Sequence, residues 1–176
     1  MKPIAFLIPI LLAAPGFAQS APSGSNASAV DAARTVWAGV SGYITQAAQD
    51  VPDSDYAFRP TPEVRSFGQL IGHLAGAQML ICAAALGEKG GSEDDTEKTK
   101  TTKADLIAAL QASNAYCGRA YAQSDADVAG MTKLFGQDRT RLFALLQNAT
   151  HDSEHYGNIV TYMRLKGMVP PSSRRQ

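Results

Sequence analysis

Between residues 27 and 167, apolar positions recur at intervals of three and four, the spacing of one face of an α-helix, in four separate runs. In the first run, Val30, Ala33, Trp37, Val40, Ile44 and Ala47 form one stripe. A helix is expected there from about Ala27 to Asp50, with Ser28 as its cap and Asp31 as the other half of a capping box. In the second, Phe67, Leu70, Ile71, Leu74, Leu80, Ile81 and Leu86 spread over more than one stripe, so this helix is expected to be buried on most sides. Ser66 and Gln69 supply its capping box. The third run places Leu106, Leu110, Cys117 and Tyr121 on one face of a helix from about Thr102 to Gln123, capped through Asp105. The fourth runs from about Arg139 to Lys166 and stops at Gly167, with Pro170 and Pro171 preventing its resumption.

The linkers carry the opposite signals. Residues 51–65 hold Pro52, Pro60 and Pro62, which lack an amide hydrogen and disfavour helix in the residue before them. This extended crossover, pinned by Tyr56 and Phe58, is long enough to let the second helix run parallel to the first. Residues 87–103 contain no large apolar side chain and read as a solvated, mobile loop. The acids there, Glu93, Asp94, Asp95 and Glu97, lack the regular spacing of a calcium loop. Residues 124–138, with Gly130 and Gly136, read as a second irregular crossover.

The helical stripes have polar interruptions. On the fourth helix the inner stripe reads Ala144, Asn148, His151, His155, Ile159, Tyr162. His151 and His155 lie one turn apart on one face, where two imidazoles can grip one cation. Polar groups inside a buried stripe cost free energy unless something satisfies them, and a metal does so. The one remaining histidine of the chain, His73, sits mid-way along the apolar second helix, with Gly72 and Gly76 leaving space near its backbone. Alone it reads most simply as a core residue. Together the three point to one divalent metal held by His73, His151 and His155. Imidazole nitrogens suit zinc, nickel, copper, iron or cobalt rather than calcium or magnesium, and zinc or nickel is expected. Three protein ligands leave a position open for water, whose pKa the metal lowers from about 15.7 towards 7. Glu154, Asp152, Asn148 and Tyr162 are the candidates to orient a ligand or act as a base, and Trp37, Asn148 and Tyr162 to line a cleft beside the metal. His151-Asp-Ser-Glu154-His155 also matches the H-x-x-E-H of inverted zinc proteases, but no acid follows His155 to complete such a site.

Charge excludes one class of function. Sixteen basic residues balance 16 acidic ones, which is not the footprint of a nucleic-acid binder. Lys2, the apolar run from Ile4 to Ala14 and the small residues Gly16-Phe17-Ala18 form the pattern of a secretory signal peptide cut after Ala18. The run is short of the roughly 20 apolar residues that span a bilayer. The expected organisation is a leader over 1–18, a flexible lead-in over 19–26, a bundle over 27–171 and a loose tail over 172–176. The mature chain is then periplasmic or secreted, and free of the membrane. Cys82 and Cys117 either pair or stay as buried thiols. A simple hairpin between the second and third helices puts them about 13 Å out of register at 1.5 Å per residue, beyond the about 7 Å between Cα atoms that a disulfide tolerates. A staggered third helix would bring them together.

Two long runs carry a resemblance. Tyr56-Ala-Phe-Arg-Pro-Thr-Pro-Glu-Val-Arg-Ser-Phe-Gly-Gln-Leu-Ile-Gly-His73 and His151-Asp-Ser-Glu-His-Tyr-Gly-Asn-Ile-Val-Thr-Tyr-Met-Arg-Leu-Lys-Gly-Met-Val-Pro-Pro171 resemble the DinB (damage-inducible, YfiT-like) family of metal-binding proteins. The resemblance implies an all-α, up-up-down-down four-helix bundle, which agrees with two long crossovers. It implies a metal triad at His73, His151 and His155. Characterised members include transferases and isomerases that use cytosolic thiols, whereas this chain reads as exported. The implied function is a metal-dependent hydrolase or transferase acting on a small molecule; the alternative is a non-enzymatic metal-binding or stress protein. A homodimer is implied as well, although no residue marks its interface.

Overall fold

The computed structural model describes residues 28–174; the expected leader and lead-in lie outside the described residues. Four long helices form where the apolar runs place them: α1 (Ala29–Asp50), α2 (Phe67–Leu86), α4 (Lys103–Tyr121) and α6 (Arg141–Leu165). Ser28, Ser66, Thr102 and Thr140 each cap one of them by accepting a backbone amide of the first turn. At Ser66 both halves of the capping box with Gln69 are made. At Ser28 only one half is made, because Asp31 turns to Arg34 at 2.7 Å. Gly87 and Gly167 end α2 and α6 with φ of 74° and 73°, a left-handed conformation that costs glycine nothing.

Pairs of contacting residues fix the directions of the helices. Lys103 Nζ donates to the carbonyls of Gln49 and Val51 (2.8 and 2.7 Å), and Arg34 Nε donates to that of Tyr121 (2.7 Å). Thus α4 runs antiparallel to α1. Leu106 lies beside Gly68 and Gly72, and Cys117 beside Cys82, so α4 runs parallel to α2. Arg141 begins α6 beside Gly87, and Tyr162 near its end donates to the carbonyl of Arg65 (2.7 Å), so α6 runs antiparallel to α2. The four-helix bundle is the expected one, but its helices run up-down-down-up rather than up-up-down-down. The prolines of residues 51–66 carry the chain across the bundle from α1 to α2, which both pack on α4 and α6. The linker that climbs the bundle is residues 87–102.

That linker is not the solvated loop its composition suggests. Gly68, Gly72 and Gly76 recur every four residues and leave a groove along α2 in which backbone can lie. A Cβ on Gly72 would stand 2.8 Å from the Glu97 Cα, and one on Gly76 would stand 2.0 Å from the Glu93 carbonyl oxygen. The linker therefore straps α2 along its length, with a short helix α3 (Asp95–Thr99) in it. Its packing is backbone on backbone, which apolar composition does not signal.

Two further departures concern the ends of α6. Residues 124–138 are not an irregular crossover: they form a one-turn helix α5 (Asp125–Val128) and a hairpin of β1 (Met131–Leu134) and β2 (Gln137–Thr140). Phe135 and Gly136 turn it with φ of 50° and 76°, both in the left-handed region that a two-residue hairpin loop demands. The tail is tied down as far as it is described. Ser172 exchanges hydrogen bonds with the Tyr156 hydroxyl, and Arg174 pairs with Asp50 at 2.6 Å.

Tyr56 and Phe58 pin the first crossover as expected, against Phe67 and Tyr162. The core is in two parts. One is built on Ile44, Phe67, Leu70, Ile71, Leu74, Leu106 and Ile159; the other on Trp37, Ile81, Tyr121 and Leu145. By length and composition α2 would pass for a membrane span, but most of it is buried between the other helices.

Cys82 and Cys117 are bonded, with Cα atoms 5.2 Å apart. The parallel course of α2 and α4 removes the misregister that a hairpin would impose. The bond closes a sequence separation of 35 residues, and loop-closure entropy puts its contribution at about 4 kcal/mol. Reduction is expected to lower the unfolding free energy by about that amount, read as a lower denaturant midpoint with reductant than without.

Candidate metal centre

His73 lies mid-way along α2 and is 5 % exposed; His151 and His155 face it from successive turns of α6 and are half-buried. The antiparallel packing of α2 on α6 brings the three together. Ring centroids are 5.2 Å apart for His73 and His151, 4.8 Å for His73 and His155, and 4.4 Å for the α6 pair. One nitrogen from each ring falls within a group whose members all lie within 4.8 Å of one another. The Nε2 atoms of His151 and His155 are 3.1 Å apart.

All three imidazoles are held neutral. Burial, then the Arg65 guanidinium and His151, bring His73 down to about 4, against a smaller opposing pull from Asp94. Burial, then the other two histidines and Arg65, bring His155 down to about 3. His151 is lowered by burial and Arg65, with Glu154 opposing. The metal-ligating form of histidine is the neutral ring, so the site favours the protonation state an ion needs. Two neutral nitrogens facing each other at 3.1 Å repel unless a proton or a cation lies between them. The Nδ1 atoms of His73 and His151 are buried without a partner. This donor set, three borderline nitrogens, fits a divalent transition metal.

The other expected residues fall into different places. Tyr162 holds the Arg65 carbonyl and does not face the triad. Asn148 points into the bundle, where Nδ2 donates to the Tyr121 hydroxyl (3.3 Å), and that hydroxyl donates to the Leu145 carbonyl (2.7 Å). Trp37 stacks on Tyr121 with centroids 4.5 Å apart. A cleft lined by Trp37, Asn148 and Tyr162 therefore does not form: the first two are packed in the core and the third is engaged elsewhere. Glu154 is exposed beside the histidines, and Asn158 Nδ2 lies 3.4 Å from His155 Nδ1. Asp152 is fully buried, with both carboxyl oxygens unpartnered. Burial raises its pKa well above the ordinary value; the Trp37 indole opposes this, but it stands outside hydrogen-bond geometry.

Three residues that the sequence did not single out border the triad. Glu97 and Asp94, from the strap, place carboxylate oxygens 3.7 and 3.9 Å from His73 Nδ1. Arg65 donates through Nε to Glu97 at 2.8 Å. The only signal for them was the glycine spacing on α2, which marks where another backbone approaches. A cavity of about 830 Å³ lies between the first crossover and the strap, lined in part by Tyr56, Ser66, Gln69, Glu97 and Lys103. A second of about 520 Å³ lies between α1 and α4 at Trp37, Thr45 and Asn114. Neither is lined by a histidine.

Two expectations follow for the metal-free protein. His73 and His155 bind a proton at about 6.5 when unfolded and only near 4 and 3 when folded, and His151 is lowered as well, so the unfolded state takes up more protons in between. Stability is then fullest above pH 6.5 and falls as pH drops towards 4; His73→Gln should flatten that slope in denaturant titrations. Asp152 behaves oppositely, because its folded pKa is raised: its contribution is full below about 3.8 and is lost as pH rises. Asp152→Asn should therefore stabilise the protein at pH 7, by on the order of 1–3 kcal/mol, and should not at pH 3.5.

The sequence matches the model of the DinB superfamily over residues 37–159. No curated protein matches it. Among solved structures, a DinB-like protein from Bacillus cereus ATCC 10987 superposes with a TM-score of 0.69 at 16% identity, covering 80% of this chain and 95% of that one. A DinB-like protein from Bacillus subtilis gives 0.64 at 17% identity, covering 82% and 99%. A mutant of the mycothiol-dependent maleylpyruvate isomerase gives 0.58 at 13% identity, covering 76% and 65%. At these identities the structures speak for the fold, while the match to most of the bundle's sequence makes the chain a member of the DinB superfamily.

Proposed function

We propose that the protein is an exported metal-dependent enzyme, a hydrolase or transferase, in which His73, His151 and His155 hold one zinc or nickel ion. The observation that carries this reading is the meeting of three neutral imidazoles inside a bundle, two of them with Nε2 atoms 3.1 Å apart. Bound there, such an ion supplies Lewis acidity and lowers the pKa of a water it binds. The chain's residues do the rest. Burial keeps the rings unprotonated, α2 and α6 fix their spacing, and the half-buried edge formed by His151 and His155 leaves the site open to a small molecule. Glu154, exposed on the same turn of α6, is the acid placed to exchange a proton with such a substrate. A likeness in fold to a mycothiol-dependent maleylpyruvate isomerase supports small-molecule chemistry. Export is supported by the leader-like pattern of residues 1–18 and by a disulfide, which persists in oxidising compartments.

A second reading is favoured by one observation: neither of the two cavities above is lined by a histidine of the triad. A protein that binds and holds a metal without turnover needs no such cavity. Elemental analysis of the purified mature protein is expected to find close to one zinc or nickel per chain. His73→Ala and His151→Ala should each lose it while keeping the helical spectrum. Retention of the metal in both variants would overturn the site, and a full metal complement without hydrolase or transferase turnover would favour the second reading.

A further inference from the structure

The strap brings one carboxylate over the buried back of His73. Glu97 in it has its side chain only 14% exposed. Its Oε2 accepts from Arg65 Nε at 2.8 Å, and the same oxygen lies 3.7 Å from His73 Nδ1. That nitrogen is buried and has no hydrogen-bond partner. Asp94 is the other acid in reach, at 3.9 Å, but it is 36% exposed and bound to Lys98 at 3.1 Å. The placement is built into the backbone. Gly72, the residue before His73, lets the Glu97 main chain lie where a Cβ would stand 2.8 Å from its Cα. Arg65 is fixed in turn, since its carbonyl accepts from Tyr162 on α6.

A histidine that ligates a metal through one nitrogen presents N–H at the other. An acceptor for that N–H fixes the tautomer and the ring plane and makes the ligating nitrogen more basic. We propose that Glu97 is the positioning residue for His73: held by Arg65, it accepts the Nδ1–H and leaves Nε2 for the ion shared with His151 and His155. The inference rests on the three-histidine metal site proposed above. The 3.7 Å separation exceeds hydrogen-bond length by about 0.5 Å, so the carboxylate has to draw closer to His73 when the ion is bound. The strap is then part of the site, and the glycines of α2 are its seat.

Zinc affinity, measured by competition with a chromogenic chelator, tests this on the full mature chain. Glu97→Ala is expected to weaken binding about 10–100-fold. Glu97→Gln, whose amide oxygen can accept the same N–H, should recover most of the loss, and Asp94→Asn should stay within about twofold of wild type. Long-range nitrogen NMR of the zinc-loaded wild type should show His73 protonated at Nδ1. A Glu97→Ala variant that binds zinc as tightly as wild type would overturn the proposal. So would a Glu97→Gln variant as weak as the alanine variant, which would make Glu97 a direct ligand, or a larger loss in Asp94→Asn. Failure of the wild type itself to bind zinc or nickel would instead strike the metal site on which the inference rests.

Discussion

An imidazolium ion is poorly tolerated where the three histidines of this bundle meet. Burial is the first cause of the depressed basicity at all three rings, and the Arg65 guanidinium adds to it. The rings must therefore enter the folded state neutral, and neutral rings that face each other with lone pairs need something between them. A divalent ion answers both demands, because it takes the lone pairs and tolerates no proton on them. The two apolar clusters can close around the middle of the bundle only if the polar atoms trapped there are satisfied.

The second constraint is the direction of α4. Because α2 and α4 run parallel, the chain must return along the full length of α2 before α4 can begin. The twenty residues of α2 span about 30 Å, and the fifteen-odd residues of the return cover that with slack at about 3.3 Å each. Gly72 and Gly76 let this return lie in contact with α2, and the disulfide at Cys82 and Cys117 locks the far end of the same helix pair. The arrangement couples topology to chemistry, because the stretch that solves the connection problem also brings Glu97 and Asp94 to His73. Tyr162, Arg65, Glu97 and His73 then form a chain of contacts from α6 through the strap to α2, joining the two helices that carry the histidines.

The legible parts of this chain were those governed by short-range rules. Helix spans followed from apolar spacing, and the caps at Ser66 and Gly167 from local backbone requirements. His151 and His155 share a face because four residues make about one turn. The joining of His73 to them was legible by elimination, since no other histidine remained, and from the family resemblance. What stayed hidden depended on backbone lying against backbone. The strap has no apolar residue to announce that it packs, so its composition reads as solvent. The direction of a helix leaves no periodic trace, and linker length alone fits a diagonal crossing as well as a parallel climb. The hairpin was concealed because its turn uses Phe135 rather than the usual asparagine or glycine at the first left-handed position. Trp37 and Asn148 were correctly placed on inner stripes, but an inner stripe has two sides, and these face Tyr121 rather than the three histidines.

Asp152 shows how the two sides of α6 divide the work. It sits one residue from His151, yet a step of about 100° turns it from the α2 side of the helix towards Trp37 on α1. Asn148, one turn earlier, faces the same way. The helix thus shows imidazoles to α2, and a carboxyl and a carboxamide to the side of Trp37 and Tyr121. The imidazole side is half-buried and suits a cation; the other side is fully buried, and its acid is driven towards the neutral form. Were Asp152 ionised beside the triad, it would raise the basicity of the rings and draw protons to them. With its carboxyl driven towards the neutral form behind the helix, it leaves their electrostatics to the groups in front: Arg65, which disfavours protonation, and Asp94 and Glu154, which favour it. Burial comes first in setting how readily the rings give up protons to a metal, and that arginine and those acids adjust it.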